Sequence, residues 1–76
     1  MNKQFGFVAE PHKNDYWCVS PATLEDDGSV TCHDLAGFCG SWQMKPNGVF
    51  FPCETEGVFC ELAMEKASTF ARGKNE

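Results

Sequence analysis

The chain has 76 residues, eleven acidic against six basic, for a net charge of −5, and 42% of it is apolar. That length holds one domain (1–76), whose core buries about 60% of the unfolded surface and leaves modest stability unless it is stapled or oligomeric. Seven Phe and two Trp exclude disorder by composition. No stretch approaches the ~20 apolar residues of a membrane span, and the first ten residues lack the apolar run of a secretory signal. A cytoplasmic protein with reduced cysteines and no membrane partner is expected. Lys3, Lys13, Lys45, Lys66, Arg72 and Lys74 are scattered along an otherwise acidic chain, which argues against nucleic acid as a partner.

Residues 4–10 alternate, with Phe5, Phe7 and Ala9 on one side, and predict a half-buried strand. Pro11 to Asp15 supply turn residues. Tyr16 to Val19 are aromatic and β-branched, predicting a second strand over 16–20 that Ser20-Pro21 closes. Residues 22–27 then read as a loop, with a short irregular edge strand at most around Thr23 and Leu24. Asp27-Gly28 opens a third strand over 29–33. A fourth over 38–45 points Trp42 and Met44 one way and Ser41, Gln43 and Lys45 to water. Lys45-Pro46-Asn47-Gly48 is a hairpin signal returning the chain into a fifth strand over 48–53. Val49-Phe50-Phe51 is apolar on both faces and reads as the central strand of the sheet.

From Thr55 onward the apolar period becomes 3.6. Phe59, Cys60, Ala63, Met64, Ala67, Phe70 and Ala71 share one arc, predicting a helix over 55–72 with Thr55 as N-cap and Gly73 as the stop. Strands followed by a helix give an α+β fold: an antiparallel β-meander of four to five strands with one C-terminal amphipathic helix packed on one sheet face.

The cysteines Cys18, Cys32, Cys39, Cys53 and Cys60 form no C-x-x-C pair, though the last four make two C-x6-C units. A zinc-stabilised domain using Cys32, Cys39, Cys53 and Cys60 is an alternative reading. Structural zinc sites orient two ligands from one tight knuckle, and six-residue gaps do not do that. Thiols serving as core filler, with no metal and no cofactor, are the expectation. A Cys32–Cys53 disulfide between neighbouring strands would form only in an oxidising compartment. His33-Asp34 with Cys39 contains the residue types of a small Cys-dependent enzyme. Adjacent His and Asp on an extended segment point to opposite faces, however, so no enzyme is expected.

Surface recognition remains. One sheet face under one helix hides about six or seven of the ten aromatic side chains. Tyr16 and Trp17 alternate, as do Phe50 and Phe51, so an exposed aromatic face is expected on the far side of the sheet. Tyr16, Trp17 and Phe51 are its candidate partner-binding residues, with Glu25, Asp26 and Asp27 as an acidic rim. The resulting expectation is a small non-enzymatic binding module for a protein partner or for itself, acting through that face or an edge strand. Such a profile fits accessory or inhibitor proteins of phages and mobile elements.

Overall fold

The computed structural model describes residues 3–34, 40–53 and 60–76. Among the described residues five strands and one α-helix carry the fold, with a 3-10 turn at Lys13–Asp15: β1 (Gln4–Pro11), β2 (Trp17–Leu24), β3 (Val30–His33), β4 (Ser41–Gln43), β5 (Val49–Pro52) and α1 (Glu61–Asn75). The strands form one antiparallel sheet in the order β4-β3-β2-β1-β5. The helix packs on β1, β2 and β5. This is the α+β arrangement that the change of period predicts.

Directly opposed residues of an antiparallel ladder share a face, so register assigns every side chain. Val8 opposes Ser20 and Phe50, Ala22 opposes Cys32, and Cys32 opposes Trp42. These residues line the concave side away from the helix, where Val8, Ala22, Val30 and Cys32 form a buried core backed by Leu24, Trp42, Met44 and Phe50. Phe7, Ala9, Val19 and Phe51 fall on the opposite side with Trp17. There α1 lays down Ala63, Ala67 and Ala71, all buried. Alanines at that spacing let a helix sit close to a sheet, and Phe70 fills the space beyond them, 5.6 Å from Trp17 and 5.7 Å from Phe51 between ring centres.

The sheet curls because its two edges are consecutive in sequence. In a flat sheet five strands wide, β4 and β5 would lie about 19 Å apart. Only residues 44–48 join them, and that linker spends its reach on a turn closed by the Gly48 N–H on the Lys45 carbonyl, 2.9 Å. Lys45-Pro46-Asn47-Gly48 is therefore a turn, as expected, but not a hairpin: β4 pairs with β3 and β5 with β1. Nor is β5 central. It is an edge strand, and its two apolar faces are accounted for by Phe50 in the concave core and Phe51 under the helix.

Two further expectations are corrected. The second strand does not end at Ser20-Pro21 but continues to Leu24. Pro21 pairs with Phe7, and β3 joins β2 only from Ala22 onward, so the missing N–H falls where β2 has a neighbour on one side only. The helix does not stop at Gly73 but reaches Asn75. The Asn75 amide accepts the Trp17 N–H at 2.7 Å and donates to the Trp17 carbonyl at 3.0 Å, pairing with the strand as another backbone would. Thr55 and Phe59 lie outside the described residues; the helix begins at Glu61 with Cys60 as N-cap and no side-chain capping bond.

Gly6 marks the tightest approach of β1 to β5. A Cβ there would collide with the Phe51 carbonyl oxygen and sit 2.7 Å from the Phe50 ring. Gly6→Ala is expected to lower the unfolding free energy by about 2 kcal/mol in urea titration, because a backbone oxygen cannot step aside as a side chain can.

Candidate functional site

On the outer flank of the helix, Leu62, Glu65, Lys66, Thr69 and Phe70 form one stripe at helical spacing and, with Phe51 of β5, line an open groove of about 370 Å³. Its floor is apolar and its rim carries one charge of each sign. Leu62 is 62% exposed and contributes to that apolar floor. The other wall is an edge strand: β5 bonds to β1 on one side and has no second strand neighbour among the described residues. An edge strand beside an apolar groove offers backbone hydrogen bonds and a side-chain pocket together.

The proposed recognition residues do not form one surface. Trp17 and Phe51 are not on the face away from the helix; both pack on Phe70, and Lys74 lies 5.6 Å above the Trp17 ring. Of the three aromatic residues only Tyr16 is exposed, at 61%. Glu25, Asp26 and Asp27 sit at the β2–β3 turn, at the other end of an eight-residue strand from Trp17, roughly 23 Å away at 3.3 Å per residue. They are no rim to it. Glu25 pairs with Lys3 at 3.3 Å. The Asp27 carboxylate accepts the Ser29 hydroxyl at 2.7 Å and the Ser29 N–H at 2.9 Å, which hold it below the usual carboxylate range. The far face is concave and filled by its own core, which a reading by alternation alone did not anticipate. Of the groove residues only Phe51 is among the sequence-based candidates; Leu62, Glu65, Lys66, Thr69 and Phe70 are not, and the signal for Leu62 is its place at the flank of the apolar arc, where a packed helix face runs out.

A second polar cluster lies inside the curl. Glu10 is completely buried. One carboxylate oxygen accepts the Trp42 indole N–H at 2.7 Å and the other the Lys45 backbone N–H at 2.9 Å. His12 Nε2 stands 3.6 Å from the first oxygen, and the Lys45 ammonium donates to the Pro11 carbonyl at 2.7 Å. Its two oxygens are occupied by donors from β4 and from the β4–β5 linker, so it acts as a tie across the open side of the sheet. Its neighbour Cys32 is also fully buried. Burial first, and the Glu10 carboxylate second, push the Cys32 thiol up to about 11. A thiol held neutral in this way is a poor nucleophile. The consequence for stability has a definite sign: the unfolded thiol loses its proton near 9.0 and the folded one near 11. The native state thus holds the extra proton in that window, and stability falls as pH rises across it. Cys32→Ala should flatten that part of a stability-against-pH curve.

His33 and Asp34 do not converge on a thiol among the described residues. His33 Nε2 pairs with the Thr23 hydroxyl at 3.0 Å, and the Asp34 N–H bonds to the Gly40 carbonyl at 3.0 Å. Cys39 lies outside the described residues. The expectation of reduced cysteines needs correction at one pair: Cys53 and Cys60 form a disulfide, with Cα atoms 5.3 Å apart, while Cys18 and Cys32 are free. Cys32 faces Ala22 and Trp42 rather than Cys53. Two of the four sulfurs weighed as zinc ligands are thereby bonded to each other, and no group of three or more metal-ligating side chains occurs among the described residues. The disulfide spans seven positions of sequence.

No helix is long and apolar enough to cross a membrane among the described residues. Comparison with known proteins finds no matching family model, no matching curated protein and no matching solved structure.

Proposed function

We propose that this chain is a small non-enzymatic binding module that takes up an extended segment of a protein partner along the outer edge of β5. The segment pairs with the Val49–Phe51 backbone and places one apolar side chain in the groove between Phe51, Leu62 and Phe70. One observation carries the reading: an edge strand and an apolar groove with an exposed leucine lie side by side. Acting by occupancy suits an accessory or inhibitor protein of a phage or mobile element, working in the cytoplasm.

Leu62→Asp tests it. The side chain is exposed, and an acidic residue in the first turn of a helix is well tolerated, so melting should not change. Extended peptides selected from a displayed random library should carry an apolar residue flanked by β-forming ones. Their affinity should fall at least about tenfold on Leu62→Asp, since a desolvated leucine contact is worth over 1.4 kcal/mol. Selection of peptides indifferent to Leu62→Asp sinks the reading. A concentration-dependent dimer abolished by the same substitution replaces the peptide with a second copy of the chain.

A further inference from the structure

We propose that the Cys53–Cys60 disulfide is a redox latch on this groove: its reduction frees the first two turns of α1 from β5 while the last two turns stay docked. The proposal rests on the binding reading above only for its consequence, a change in what the groove accepts.

The two sulfurs join the two walls of the groove at one end. Cys53 lies two residues beyond Phe51 on the β5 side, and Cys60 two residues before Leu62 on the helix side. The anchorage of α1 is unequal along its length. Its C-terminal half carries Phe70 against Trp17 and Phe51, Lys74 above the Trp17 and Phe70 rings, and the paired Asn75 amide on the Trp17 backbone. Among the described residues its N-terminal half buries only Ala63 and Ala67 against the sheet, leaves Leu62 and Met64 exposed, and has no side-chain cap. Alanine contacts bury little area, so among the described residues the covalent bond is the strongest tie at that end.

The bond is also placed to be reducible. Cys53 is partly exposed, whereas Cys60 is 8% exposed at the N-cap of α1. A thiolate of a dithiol reductant attacks Cys53 Sγ, forming a mixed disulfide and expelling the Cys60 thiolate. The positive end of the helix favours that leaving group. The reductant's second thiolate then attacks its own sulfur in the mixed disulfide and releases Cys53. Two electrons pass to the protein, both cysteine sulfurs take up protons, and the dithiol ends as its own disulfide.

Hydrogen exchange on the whole chain, with and without dithiothreitol, tests the latch. Amides of residues 64–67 should exchange at least about tenfold faster after reduction, and those of 72–75 should change less than about twofold. Cys53→Ser/Cys60→Ser should reproduce the reduced pattern without reductant. Unchanged exchange at 64–67 overturns the proposal, and so does a loss of protection spread evenly over helix and sheet, which would mark the bond as a global staple. The selected peptides supply the second arm. Equal affinity for oxidised and reduced protein overturns control of the groove. Absence of any peptide in both states, with the local exchange pattern present, defeats the binding reading and upholds the latch.

Discussion

Glu10→Ala should cost about 3–5 kcal/mol of unfolding free energy, measured by urea titration against the parent chain. The alanine removes the acceptor of two buried donors at once, leaving the Trp42 indole N–H and the Lys45 N–H without partners. Each unpaired buried donor costs about 1–3 kcal/mol, and the vacated side-chain volume adds a cavity. For a chain of this length total stability is about 4–11 kcal/mol, so the substitution approaches unfolding. Glu10→Gln separates the causes. It keeps the volume and one acceptor but turns an NH2 group toward a donor, so about 2 kcal/mol should be lost, with the Trp42 emission shifting toward that of a wetter indole. Equal stability of Glu10→Ala and the parent would show that the curl does not depend on this tie.

Phe70→Ala ranks second, at about 2–4 kcal/mol. Phe70 is the aromatic side chain that α1 sets, half-buried, against Trp17 and Phe51 of the sheet; the buried helix residues are alanines. Its ring meets Trp17 and Phe51 edge-on or tilted, and Lys74 stands 5.4 Å above it. Truncation removes both aromatic contacts and the platform for the ammonium, each worth up to about 1 kcal/mol beyond area. Trp17 is half-buried, so its fluorescence gives a local reading. It should redshift in native buffer before global unfolding begins, since the helix end loosens while the concave core of Val8, Ala22, Val30 and Cys32 does not touch Phe70. Phe70 also lines the groove, so peptide affinity should fall in parallel.

The elements themselves were legible because their causes are local. Alternation over Gln4 to Glu10 marks β1 as a strand, although it is not half-buried as expected: Val8 and Glu10 are buried on one face, Ala9 on the other, and Phe5 is exposed. The 3.6 period of Ala63, Ala67 and Ala71 sets the buried stripe of α1. The Asp27-Gly28 and Asn47-Gly48 turns follow from residues that tolerate a tight reversal, with Gly28 at a φ of 90°. The candidate site was less legible. Phe51 was identified as a contact residue, but its partners Leu62 and Phe70 come from an element eleven or more residues away, and only packing decides which flank of a helix stays open. Trp17 was placed on the wrong side because alternation distinguishes two faces without saying which one the helix covers.

By itself the sequence determined periods, turns, one domain and the α+β class, since each depends on neighbours along the chain. Tertiary structure alone decided that a turn with hairpin chemistry joins opposite edges of the sheet, that β5 is an edge, that Glu10 is buried and tied, and that Cys53 pairs with Cys60. These outcomes share one physical reason. Strand order, ion burial and sulfur pairing are settled by contacts between residues far apart in the chain, where the free energy of closing the sheet outweighs any local preference.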